Sequence, residues 1–248
     1  MKKKNILIIG KKSFVSTNLF FFLKKKHFIK RVNLSHFFSF NQKYLKNFDF
    51  IINCSINKNY ILKKYSKKND FDLKIIHRIQ NLKCRYIFLS SRKVYKPGDN
   101  LKENNRTRPI CNYSKNKLIT EKLLKTLINK RLLILRISNL LGIKKKTDSN
   151  RKIHHTFIDF FFMNIKRNNI FNNDKLYKDF ISTKQFAKII DRLVQRNSYG
   201  IYNVSLGKKV YLNKIIKWLN YYNRKKYNYL ELPKNFNKDS FFLNNSKL

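Results

Sequence analysis

Acidic residues are scarce: 13 Asp and Glu stand against 57 Lys and Arg, and the first carboxylate in the chain is Asp49. The formal charge of +44 excludes a balanced surface and raises the question of a polyanionic partner, because Lys and Arg release counterions from phosphates. Glycine (5) and proline (3) are also few, Ala187 is the one alanine, and Lys, Asn, Ile, Phe and Tyr abound. The scarce types have G/C-rich codons and the abundant ones A/T-rich codons. Mutational drift in an A/T-rich genome therefore accounts for the composition without selection for nucleic acid. The lysines are spread along the whole chain instead of forming a block, which favours drift over a nucleic-acid partner.

Three cysteines, Cys54, Cys84 and Cys111, at unrelated spacings exclude a disulfide framework and a zinc pattern, and suit a reducing, cytoplasmic compartment. Long apolar runs are missing as well. Ile6 to Ile9 is too short for the apolar part of a signal peptide. Phe14 to Leu23 is interrupted by Ser16, Thr17 and Asn18 and falls short of the roughly 20 residues that a membrane span needs. The last three residues, Ser246-Lys247-Leu248, spell a peroxisomal address, a match cheap enough to arise by chance.

What is present is an alternation. Asn5 to Ile9 is a short apolar, β-branched run of the kind found in central parallel strands, and it ends at Gly10. Further strands are expected at Phe28–Leu34, Phe48–Cys54, Arg85–Leu89 and Arg131–Arg136. Helices are expected at Phe14–Lys26, across a long polar stretch from about Tyr60 to Leu82, and at Tyr113–Asn129. Strands alternating with helices at this spacing imply an α/β fold, a doubly wound parallel sheet of Rossmann type. Pro97 to Pro109 reads as a loop.

After Gly142 the pattern changes. Lys144 to Asn173 is basic, aromatic and irregular, as in a smaller lobe. The expected division is 1–142 for a dinucleotide-binding domain and 143–248 for a small C-terminal substrate lobe. Elements at about 180–205 would return to the main sheet: a strand at Phe180–Ser182, a helix at Lys184–Arg196 and a strand at Gly200–Val204. A helix at Leu212–Tyr222 and a loose tail from Pro233 follow.

The turn after the first strand reads Gly10-Lys11-Lys12-Ser13-Phe14-Val15-Ser16. Glycines in such a turn admit a pyrophosphate and let helix and strand approach closely. Here Gly10 remains, while Ser13 and Ser16 stand where the next two glycines would fall. The candidate cofactor-binding residues are Gly10, Lys11, Lys12, Ser13, Phe14, Val15, Ser35 and Lys117. An acidic residue that closes the second strand normally binds the free ribose hydroxyl of NAD. That place falls near Ser35-His36, and Lys11, Lys12 and Arg31 are close by in sequence, so NADP is favoured over NAD.

Tyr113-Ser-Lys-Asn-Lys117 places a phenol and an ammonium four residues apart, on one face of a helix. A neighbouring cation favours the phenolate, so Tyr113 is the candidate acid/base for a carbonyl–alcohol conversion, tuned by Lys117. Ser91, just past the fourth strand, is placed to bond the same oxygen.

These segments together resemble the extended short-chain dehydrogenase/reductase family, the nucleotide-sugar epimerases, dehydratases and reductases. The resemblance runs through Ile9 to Leu19, Asp49 to Cys54, Phe88 to Tyr95, the Tyr113/Lys117 pair with Glu121, Leu135 to Gly142, Asp179 to Ile181 and Gly200 to Val204. Asn69 is a loose match to the family's structural asparagine. The family implies an NAD(P)-dependent oxidoreductase or epimerase of a nucleotide-activated sugar, with Ser91, Tyr113 and Lys117 catalytic. It also implies a homodimer paired through the helices around Tyr60–Leu82 and Tyr113–Asn129. Arg92-Lys93 stand where a dehydratase carries an acidic residue, which disfavours dehydration, and Lys184-Gln185 replace usual acids. The alternative is a degenerate relative that keeps the fold and binds RNA or another polyanion. His154-His155 lack a neighbouring ligand cluster, so no metal is expected; Arg151 or His155 would instead meet a substrate phosphate. The aromatic run Phe157 to Phe162 reads as core or interface.

Overall fold

The computed structural model describes residues 2–142, 171–172, 175–223, 230–231 and 239–248. Arg151, His154, His155, the run Phe157 to Phe162 and most of the stretch from Lys144 to Asn173 lie outside the described residues, as does the start of the tail at Pro233.

Six strands form one parallel sheet: β1 (Asn5–Ile9), β2 (Phe28–Val32), β3 (Phe50–Asn53), β4 (Arg85–Ser91), β5 (Leu132–Ile137) and β6 (Gly200–Val204). Their order is β6-β5-β4-β3-β1-β2. Successive side chains of a strand point to opposite faces, and the sequence supplies apolar residues at both parities. In β1, Leu7 and Ile9 enter one core, with Ile51, Phe88, Ile76 and Leu124. Ile6 and Ile8 enter the other, with Ile52, Leu19, Phe186 and Ile190. The first face is covered by α5 (Phe71–Ile79) and α6 (Asn112–Ile128), preceded in the chain by the short α2 (Leu34–Ser39), α3 (Gln42–Leu45) and α4 (Lys58–Leu62). The second is covered by α1 (Phe14–Leu23) and α7 (Thr183–Gln195). Among the described residues a further helix, α8 (Leu212–Asn223), follows this sandwich in the chain, and the doubly wound parallel sheet stands as expected. Among the described residues no helix is long and apolar enough to cross a membrane.

Four expectations need correction. The stretch from Tyr60 to Leu82 is not one helix. It breaks after α4, where Lys63 is extended, passes a 3-10 turn at Lys67–Asn69 that contains Asn69, and restarts at α5. The break has a local cause: the Asp70 carboxylate accepts from Leu73 N–H at 3.0 Å and so caps a new helix. The expected loop from Pro97 contains a strand, Gly98–Leu101, and the expected loose tail contains its partner, Phe241–Leu243, paired with it in parallel. Phe241 and Leu243 are fully buried against Val94 and Tyr95. The last residues are also tied down, with the Lys247 ammonium donating to Ile201 O at 2.7 Å and Leu248 packed on the core of the α1 face. Helix α1 ends at Leu23 instead of Lys26, because the chain turns at Lys24–Lys26 to bury His27, whose ring bonds Asp191 at 3.0 Å.

Candidate active site

In this sheet β1 is flanked by β2 and β3, so the chain leaves β1 to one side and later to the other. Such a reversal opens a crevice at the carboxyl ends of the strands, where open α/β sheets bind ligands. Gly10 stands at its floor. Its φ is +100°, and a Cβ there would lie 2.7 Å from Ser55 Oγ and 3.0 Å from the Cys54 carbonyl carbon. No other residue type satisfies both constraints. Gly10→Ala is therefore expected to cost about 1–3 kcal/mol and to widen the turn, read as a lower denaturation midpoint together with loss of dinucleotide affinity. An alanine variant that melts and binds like the parent would refute the constraint.

The rest of the turn is organised by its own hydrogen bonds. The N–H groups of Gly10 and Lys11 donate to Val32 O at 2.8 and 3.0 Å, and Ser13 N–H donates to Gly10 O at 2.8 Å. Ser13, in a glycine position, caps α1: its Oγ accepts from Ser16 N–H at 3.0 Å. Ser16 is buried, and its Oγ has no partner among the described residues. Lys11 and Lys12 are exposed, and Phe14 and Val15 half-buried. Ser35 is exposed in the first turn of α2, three residues past the end of β2, so Asn33 is the residue that directly follows that strand. Arg31, on β2, lies over the Phe20 ring at 4.6 Å, and its buried Nη1 lacks a partner among the described residues. A glycine cradle, the N-terminus of a ten-residue helix and a half-buried arginine with one unmet donor fit the phosphates of a dinucleotide.

Tyr113 and Lys117 sit one turn apart at the start of α6. Two asparagines fix that end: Asn112 donates to Leu62 O at 2.9 Å, and Asn116 donates to Tyr60 O and Lys63 O at 2.7 and 2.9 Å. Tyr113 is half-buried. Lys117 is buried, its ammonium 4.5 Å from the centre of the Phe88 ring and 3.9 Å from Asp72 Oδ2. Ser91 ends β4 half-buried, and its Oγ accepts from Lys93 N–H at 3.2 Å.

Cys54, directly after β3, shows how these parts converge. Burial and the nearby Asp72 carboxylate push its thiol far above the ordinary range, while its hydrogen bond with Ser13 and the charges of Lys117 and Arg31 oppose the shift. Ser13 of the glycine turn thus bonds this side chain at the end of β3, and the charges of Arg31 on β2 and Lys117 on α6 act on it. Cys111 is exposed at the N-cap of α6; partial burial raises its thiol, but hydrogen bonds with Ser114 outweigh that and leave it below the ordinary value.

Behind Ser91 lies a buried polar network. Ser90 Oγ donates to Glu121 Oε1 at 2.5 Å, and Arg136 bonds the same carboxylate through Nε at 3.1 Å and Nη2 at 2.6 Å. Arg136 Nη1 reaches Tyr95 OH at 2.8 Å, which donates to Asn203 Oδ1 at 2.9 Å. Glu121, Arg136 and Asn203, three of the sequence landmarks, therefore build the wall behind the site. Sequence reasoning missed Asn53, Asp70 and Asp72, although the Asp-x-Asp spacing at a helix start was a usable signal. It also missed Asp239, which accepts both Nη atoms of Arg92 at 3.0 Å and the Lys178 ammonium at 3.0 Å.

Comparison with known proteins agrees with this architecture. A sequence model of the NAD dependent epimerase/dehydratase family matches residues 6–205. A search of curated protein sequences finds no significant match. Among solved structures, the chain is similar to a UDP-N-acetylglucosamine 4-epimerase from Methanobrevibacter ruminantium (20% identity, 100% of this chain and 91% of that one, TM-score 0.78). It is also similar to a dTDP-4-dehydrorhamnose reductase from Bacillus anthracis in complex with NADP (17%, 98% and 90%, 0.71). A third is a UDP-glucuronic acid 4-epimerase from Bacillus cereus in complex with NAD (16%, 98% and 90%, 0.74). At these identities the solved structures speak for the fold, and the match over most of the chain speaks for descent: the chain belongs to the NAD dependent epimerase/dehydratase family.

Proposed function

We propose that this chain is a nicotinamide-dependent enzyme that reduces or epimerises a nucleotide-activated sugar. The observation that carries the reading is the placement of Tyr113 and Lys117 one turn apart at the start of α6, with the Lys117 charge acting on the Cys54 thiol that bonds Ser13 of the glycine turn. The nicotinamide supplies or accepts hydride when bound. Gly10 and the first turn of α1 receive the pyrophosphate, and Lys117 holds the adjoining ribose. Tyr113 gives or takes the proton at the reacting sugar oxygen, which Ser91 orients by a hydrogen bond.

The finer choices follow the same residues. Asn33, not an acid, directly follows β2, and Arg31 keeps an unmet buried donor, which supports NADP over NAD. Arg92, not an acid, follows Ser91, and the Asp239 carboxylate that it holds is already engaged by Arg92 and Lys178, which supports reduction or epimerisation over dehydration. The homodimer that the resemblance implies would pair the α4 and α6 surfaces, where Leu62, Ile119 and Leu127 are exposed.

Titration with NADPH and NADH, followed by nicotinamide fluorescence, tests the reading. NADPH is expected to bind more tightly than NADH, with Lys117→Ala weakening binding and Tyr113→Phe leaving it intact. Absence of binding for both cofactors overturns the reading in favour of a degenerate fold. RNA affinity that falls steeply with salt and ignores sequence would then mark mere electrostatics.

A further inference from the structure

We propose that Asp72 is a positioning residue for Lys117, holding its ammonium at the crevice by charge while leaving its hydrogen-bond donors for the cofactor; this rests on the reading of Lys117 given above. A lysine as buried as this one is costly unless an opposite charge faces it. Asp72 Oδ2 supplies that charge from 3.9 Å. The separation is too long for a hydrogen bond, and the ammonium makes no hydrogen bond to another described residue. The attraction therefore fixes where the ammonium sits without consuming any of its three N–H groups.

The carboxylate is itself held from other elements. Its Oδ1 accepts from Tyr86 OH on β4 at 2.6 Å and from Asn53 Nδ2 on β3 at 3.0 Å. It lies in the first turn of α5, where the helix dipole favours negative charge. Asn53 also shapes the segment against Gly10, accepting from Ser55 N–H at 2.8 Å and donating to Ser55 O at 3.1 Å. One carboxylate thus ties the ammonium of α6 to the loop that packs on the glycine turn. Among the described residues, the other titratable groups that act on this pair or its neighbours are Asp70 at the cap of α5, Tyr60 on α4, Cys54 after β3 and Tyr86 on β4, with Tyr113 acting on Tyr60 and Arg31 on Cys54. Burial pushes the Asp72 carboxyl above its ordinary value, and Lys117 pulls it back.

The test is a double-mutant cycle read by NADPH fluorescence, using wild type, D72N, K117A and D72N/K117A, with thermal melts as a check of folding. Positioning predicts that D72N weakens NADPH binding about ten-fold in the wild-type background and changes it little in the K117A background. Equal losses in both backgrounds overturn the proposal, because Asp72 would then only support the loop at 53–55. A pH series adds a readout that structural support would not move. Acidification through the titration of Asp72 is expected to weaken binding in wild type, and that step should be absent in D72N. Tyr86→Phe, which keeps the charge but removes one clamp, is expected to cost a few-fold and serves if D72N melts early; a full affinity in Tyr86→Phe counts against the proposal. Should K117A bind NADPH like wild type while D72N does not, the role of Lys117 falls and the positioning proposal with it. A D72N that binds like wild type beside a weakened K117A removes the proposal alone.

Discussion

Tyr113→Phe is expected to lower the rate of nucleotide-sugar turnover by about two to four orders of magnitude without changing the affinity for NADPH. The ring keeps its volume and its half-buried seat in the first turn of α6, so packing is preserved. Only the phenolic oxygen is lost, and with it the proton exchanged with the sugar. Ser91→Ala should cost less, since that hydroxyl orients the reacting oxygen and carries no proton of its own in the reaction. Steady-state kinetics on a reduced or epimerised sugar nucleotide, paired with cofactor titration, separates these effects. A Tyr113→Phe enzyme that turns over within a few-fold of the parent would move the acid/base role to another group.

The largest effect on stability is expected at Glu121. Its carboxylate and the Arg136 guanidinium are both nearly inaccessible, with side chains 2% and 4% exposed, and are joined through two hydrogen bonds. Burial works against the charge on Arg136, but Glu121 outweighs it and leaves the guanidinium more firmly protonated than usual. Glu121→Ala leaves that cation uncompensated in the core and strips Ser90 of its acceptor. Breaking a buried pair from one side costs about 3–5 kcal/mol, which for a chain of this size shifts the midpoint by on the order of 10 °C. Replacing both residues by apolar ones of similar volume should cost much less, since no charge is left behind. Thermal and denaturant melts of the single and double replacements decide the matter. A Glu121→Ala protein within about 1 kcal/mol of the parent would show that water reaches the pair. Because Ser90 precedes Ser91, the same variant should also lose activity in excess of its lost stability.

Much of the site was legible because it is local. The Tyr113/Lys117 spacing, the glycine that closes β1 and the serine pair that closes β4 each lie within a few residues, and a helix or a strand end translates such spacing directly into shared position. The break between α4 and α5 was only partly legible: the Asp70 cap on Leu73 is local, but its bond with Thr120 comes from another element. Asp72 was passed over because a carboxylate is read as exposed by default; its burial follows from Tyr86, Asn53 and Lys117, contributed by three other elements.

By itself the sequence determined the existence and type of the main strands and helices, since apolar residues at both strand parities must be covered on both faces by helices. It also placed Tyr113 and Lys117 one turn apart at the start of one helix, the spacing on which the proposed acid/base role rests. Tertiary structure alone decided the sheet order, the parallel pairing of Gly98–Leu101 with Phe241–Leu243 and the clasp of Arg92 on Asp239. The physical reason is separation along the chain: such partners carry no shared period or motif, and only the burial of Phe241 and Leu243 against Val94 and Tyr95 selects them.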